Sequence, residues 1–154
     1  MIHVEFNPSL DSSFDAHIIQ KAGQITLDHC QPDQDSDLTI LLTNDEQVRE
    51  LNRKYLSNDE VTDVLSFSSL EVDPDSKRMY LGDVIISQNR AMDQAQQAGH
   101  DVEVELHLLV VHGVLHLLGF DHAEQEQKAK MWAAQEFIMK KLGHPDFRIM
   151  TENG

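Results

Sequence analysis

Basic side chains are scarce in this 154-residue chain: 12 Lys+Arg stand against 27 Asp+Glu, giving a formal net charge of −15 and a sequence pI near 4.7. That balance excludes a generally basic coat for nucleic acid. Cysteine is scarcer still, and the single Cys30 excludes an internal disulfide and fits a reducing compartment. The opening MIHVEFNPSLDSSFDAH has neither a basic leader nor an apolar stretch, so no signal peptide is visible. The most apolar segment, Leu106 to Phe120, is too short for a membrane span and carries three histidines. Repeats, linkers and low-complexity tracts are missing too. Together these absences lead us to expect a soluble cytoplasmic protein with no membrane partner, folded as a single domain over residues 1–154. With 40% hydrophobic and 25% charged residues, the chain has enough apolar material for a core and does not read as disordered.

Ile2, Val4 and Phe6 alternate with polar residues, the period of a half-buried strand. Ser12 or Ser13 is then expected to cap a helix with Phe14, Ile18, Ala22 and Ile25 at helical spacing, running to about Cys30. A compact strand follows at Leu38 to Leu42. Asn44 is suited to cap the next helix, DEQVRELNRKY, with Val48, Leu51 and Tyr55 on one face. DVLSFS and YLGDVIIS have strand composition and are joined by the turn-rich VDPDSKR as a loose hairpin. Three helices close the chain. The first stops at Gly99, the second spans VEVELHLLVVHGVLHLLG, and an amphipathic third from about Glu124 to Leu142 includes Met131, Trp132 and Phe137. The middle one is apolar almost all round and must be central. Strands early and helices late predict an α+β fold, a roughly four-stranded mixed sheet covered by about five helices.

Nine histidines are many for this length. His3, His17, His29, His100 and His144 are scattered and have no partner at a meaningful spacing. His112 and His116 differ, because positions i and i+4 of a helix share a face and let two imidazoles reach one ion. Gly119 can end the helix and turn the chain back, bringing His122 near them. Three nitrogen ligands make a catalytic type of zinc site, with a fourth position open. The alternative is three core histidines hydrogen-bonded to neighbours, but two imidazoles on one Leu/Val-rich stripe would then cost roughly 1–3 kcal/mol each if left unsatisfied. His107 points to the opposite side of the helix and is assigned to packing.

HGVLHLLGFDH has the skeleton of the metzincin protease motif, H-E-x-x-H-x-x-G-x-x-H, with one break. Gly113 stands where a protease carries its general-base Glu, so the group that activates water for peptide hydrolysis is missing. A glycine inside a helix costs roughly 1 kcal/mol relative to Ala, which suggests that a backbone or substrate approaches closely there.

The same string resembles the H-G-x-L-H-L-x-G-[YF]-D-H signature of the bacterial YbeY family of metal-dependent endoribonucleases in ribosomal RNA maturation. LNRKY followed by TDVLSF, and LGDVIIS, resemble further segments of that family in the same order, from Leu51 to His122. The resemblance implies one Zn²⁺ per chain at His112, His116 and His122, an α+β fold, and a role in 16S rRNA 3′-end maturation and ribosome quality control on the small subunit. One position departs from the pattern: where the family usually has an Arg after the Tyr of its first segment, this chain has Leu56.

Arg53 or Lys54, one turn or less away, can supply that charge, or both can be a solvated helix face. Asp121, Asp63 and Asp83 can each accept a ligand's second N–H or hold water, and caps or turn residues are the other reading. Arg53 and Asp121 are the candidate catalytic residues. Cations near RNA would come from Arg49, Arg53, Lys54, Lys77, Arg78 and Arg90, few enough that RNA binding should be weak and docking to a basic ribosomal protein should deliver the substrate. Two rival readings stand beside the single-strand-specific endoribonuclease: a metalloprotease-like hydrolase using another carboxylate, and a non-catalytic ribosome-assembly factor with a structural metal.

Overall fold

A computed structural model describes residues 1–10, 14–121, 123–145 and 147. The alternating first run forms strand β1 (Ile2–Phe6), and the apolar run after the first loop forms β2 (Ser36–Thr43), longer by two residues at its start and one at its end than the sequence pattern indicates. Between them lies helix α1 (Ala16–Cys30). Its cap is Asp15, whose carboxylate accepts from His17 N–H; the expected caps Ser12 and Ser13 fall outside the described residues. Asn44 caps α2 (Asp45–Leu56) as anticipated, accepting from Gln47 N–H. The loose hairpin is β3 (Val64–Val72) with β4 (Met79–Ser87), followed by α3 (Gln88–Ala98), α4 (Val102–Leu117) and α5 (Gln125–Lys141).

The sheet has the order β1-β2-β4-β3, with the first two pairings parallel and β3 antiparallel on an edge. The expected mixed four-stranded sheet with five helices is therefore what forms among the described residues. One irregularity is invisible in the residue pattern. Asp37 pairs with Tyr80 but Leu38 with Gly82, so Leu81 is an extra residue in β4. Gly82 has φ +141°, and a Cβ there would lie 2.0 Å from the Phe67 carbonyl oxygen, so only glycine fits.

Side-chain alternation divides the core between the two faces of the sheet. Leu38, Ile40, Leu42, Val84 and Ile86 face α1 and α4, whereas Leu65 and Ile85 face Val48 of α2. Tyr55 does not share that buried face: it is 59% exposed and meets Phe67 edge-on, while Asn52 is buried and donates its amide to the Glu60 carbonyl (3.0 Å). Phe137 likewise departs from expectation, half exposed and stacked on His29, although Met131 is fully buried. Helix α4 is the centre of the fold, packed against the sheet and against α1, α3 and α5. No described helix is long and apolar enough to cross a membrane.

Candidate metal centre

Leu106, Leu109, Val110, Val114 and Leu115 bury α4 almost all round, so its polar side chains emerge only where the surrounding layers leave a gap. His112 and His116 emerge together, half-buried, beside edge strand β3. Gly113 explains how close the helix comes. A Cβ at this position would lie 2.5 Å from Val84 Cγ1 and 3.3 Å from Val64 Cγ2, so the close approach expected there is made by sheet side chains, not by backbone or substrate. Ser66 Oγ donates to the Gly113 carbonyl (3.0 Å) and ties the helix to β3. A protease-like Glu has no room at 113.

The two imidazoles converge. His112 Nε2 and His116 Nε2 lie 3.2 Å apart, against about 3.3 Å for two nitrogens at Zn–N distances of 2.0–2.1 Å in tetrahedral geometry. The donor set thus fits a zinc ion at these two residues. The other His112 nitrogen is fixed: Nδ1–H donates to Gln135 Oε1 at 2.6 Å, which leaves Nε2 as the lone-pair nitrogen. Gln135 was missed by sequence reasoning, which looked for a carboxylate. A signal existed, since Gln135 falls within the buried stripe Met131, Ala134, Ile138 and Met139 of α5, where a polar residue needs a partner.

His112 stands between two cavities. A polar groove of about 420 Å³ runs along β3, lined by Thr62, Asp63, Ser66, Ser68 and both histidines among others. On the other side of His112 a more apolar cavity of about 360 Å³ extends toward α3 and α5, with Asp63 again at its wall. Asp63 receives the Gln94 amide (3.3 Å). Asp83 is instead held by the Tyr80 hydroxyl and lines neither cavity. Asp121 is exposed and lines a separate hollow with Phe120, Gln127 and Lys130. His122 lies outside the described residues. No group of three or more His, Cys, Asp or Glu able to hold a metal occurs among the described residues, so two of the three expected ligands are the ones seen together.

The cations sort by pairing. Arg49 is held by Asp59 (2.7 Å), Arg78 by Asp37 (2.6 Å) and Arg90 by Asp45 (3.6 Å). Arg53 and Lys54 are exposed in the last turn of α2, on the sheet face opposite α4, with Lys54 Nζ 5.2 Å from the Tyr55 ring centre. Edge strand β3 separates them from His112 and His116, and neither lines either cavity. Leu56 is half exposed beside them.

Two of the histidines taken as scattered have hydrogen-bond partners brought by the fold. His144 Nε2 is 2.9 Å from His107 Nδ1, and His100 Nε2 is 2.9 Å from Glu105 Oε1. His107 does face away from His112. Burial, and then the neighbouring charges of His144 and Lys21, push its pKa down to about 4. Burial raises the Glu105 carboxyl above its usual range, with His100 opposing.

Comparison with known proteins agrees with this architecture. The solution structure of a Thermotoga maritima protein superposes with a TM-score of 0.64 at 22% identity, covering 94% of this chain and 91% of that one, a likeness of fold. "Endoribonuclease YbeY" of Heliobacterium modesticaldum is 39% identical over 145 residues, covering 88% of this chain and 87% of the relative. The protein of the same name from Dehalococcoides mccartyi is 40% identical over 153 residues, 92% and 96% of the two chains. The family model described as Endoribonuclease YbeY matches residues 5–143. The family model and these relatives show that the chain belongs to the endoribonuclease YbeY family.

Proposed function

We propose that this protein is a zinc-dependent, single-strand-specific endoribonuclease of the cytoplasm, acting in 16S rRNA 3′-end maturation and ribosome quality control. One ion per chain is held by His112, His116 and His122. The observation that carries the reading is the pair of Nε2 atoms 3.2 Å apart on the wall of an open polar groove. When bound, zinc supplies Lewis acidity toward a phosphoryl oxygen.

The remaining chemistry falls to the chain. Gln135 keeps the His112 proton on Nδ1 and so keeps Nε2 available. The groove along β3, with the hydroxyls of Thr62 and Ser68, accommodates the sugar–phosphate backbone. Arg53, assisted by Lys54, is the candidate cation for negative charge on the RNA, acting on phosphate that passes over edge strand β3 on the α2 side and not from within the groove. Asp121, next to His122 in sequence, orients that ligand or handles a proton. The RNA 2′-OH is a built-in nucleophile, so no base at position 113 is required, and DNA lacks it. The net charge of −15 keeps affinity for free RNA low and suits docking to a basic protein of the small ribosomal subunit.

Incubation with single-stranded RNA, the matching DNA and an unfolded protein tests the reading. Chelator-sensitive loss of RNA alone, abolished in His116→Ala, is the expected result. Cleavage of the protein would revive a peptidase, and RNA left intact even on ribosomal particles would leave an assembly factor with a structural metal.

A further inference from the structure

The cavity of about 360 Å³ shares His112 and Asp63 with the polar groove but is not lined by His116. Its volume is in the range of small-ligand pockets, roughly 300–1,000 Å³. Leu108, Leu109 and the Trp132 ring give it apolar walls, and the indole centre stands 6.1 Å from the His112 ring centre at 37° to it and 6.0 Å from Lys128 Nζ, which does not line the cavity. Its charged groups are anionic: Asp63 at one side and Glu105, only 5% exposed, at the other, with His100 as the partner of Glu105. Gln135, 2% exposed, commits its carbonyl to His112 and makes no other hydrogen bond among the described residues, so its amide N–H groups remain as donors at the cavity wall.

Among the described residues, two carboxylates and no Lys or Arg line this cavity, whereas the groove has one carboxylate and both histidines of the metal-binding pair, so phosphate is favoured in the groove and not here. The portion of a polynucleotide that suits these walls is neutral, planar and edged with N–H donors and carbonyl acceptors. We propose that this cavity receives one unpaired nucleobase of the RNA, stacked against the Trp132 side, its N–H edge toward Glu105 or Asp63 and an acceptor toward the Gln135 amide. The inference rests on the endoribonuclease reading and deepens it. His112 and Asp63 line both cavities, so the backbone lies in the polar groove while the adjacent base drops past His112. A base held in a duplex cannot make that turn, which gives a physical origin for single-strand selectivity.

Trp132 is the only tryptophan in the chain and therefore reports directly on the cavity. Titration with GMP and UMP should change its emission saturably, and ribose 5-phosphate, which lacks the base, should not. Ala98, exposed at the rim, allows a filling substitution that spares the core. Ala98→Phe should remove the nucleotide response and raise KM for single-stranded RNA about tenfold, the order expected for one lost base–aromatic stack, with metal content unchanged. RNAs carrying a single abasic residue, moved along the substrate, should lose cleavage at one fixed offset from the cut. A nucleotide response without any RNA cleavage would leave the pocket standing and refute the proposed function. Cleavage that ignores abasic sites, with no difference between GMP and ribose 5-phosphate, would overturn the pocket and leave the function intact.

Discussion

Helix α4 contributes to two histidine pairs, and they are built for opposite ends. His112 and His116 lie one turn apart, half-buried, with Nε2 atoms facing each other beside an open groove. His107 is 3% exposed and meets His144, 37 residues away, through Nδ1 to Nε2 at 2.9 Å. Both pairs have nitrogens at contact distance. What separates them is the environment: Gln135 commits the far nitrogen of His112 and the polar groove opens at the near one, whereas His107 is closed in by α1 and the chain after α5. Imidazoles near one another are common to both arrangements. An oriented lone pair with space in front of it belongs to one.

The largest effect that sharpens this contrast concerns pH. Burial holds His107 at about 4, below its ordinary value of 6.5, so the unfolded chain binds a proton between those values and the folded chain does not. Stability contributed by the neutral ring is thus complete above about pH 6.5 and is lost as pH falls toward 4, a loss of about 3 kcal/mol. His144, also lowered by burial, adds in the same direction. Denaturant melts at several pH values should show the slope, and His107→Leu should flatten it without changing metal content. An unchanged slope in that variant would place the titrating group elsewhere.

Next in size is Gln135→Leu. Removing the acceptor frees His112 Nδ1–H and should weaken metal affinity about 10- to 100-fold, as measured by competition with a chelator. Gly113→Ala comes third. The added methyl meets Val84 Cγ1 and should cost about 2 kcal/mol by overpacking, read in a thermal melt, and it should disturb the pair beside β3 more than the pair beside α1. Arg53→Ala is expected to be smallest: a several-fold loss of RNA cleavage at full metal content and unchanged stability, since Arg53 is exposed.

Local chemistry was legible in the residues. Asn44 as a cap, Gly99 as a stop in the left-handed region at φ +75°, and the i, i+4 histidines all depend on neighbours within a turn. What escaped depends on chain segments that meet only after folding. The Gln135 acceptor comes from α5, the His107–His144 pair spans 37 residues, and the extra Leu81 in β4 reflects its fit to two strands at once. Asn52 shows the same limit in miniature. Periodicity assigned the buried face of α2 to Tyr55, but the loop carbonyl of Glu60 made a polar residue the better occupant.

The contrast between the two pairs reduces to one number, the metal bound per chain, read by elemental analysis in two double variants side by side. His112→Ala/His116→Ala should be essentially metal-free, while His107→Ala/His144→Ala should retain about one zinc per folded chain, as in the unmodified protein. Equal loss in both variants, or full retention in the first, would contradict the assignment of the metal to the groove-facing pair.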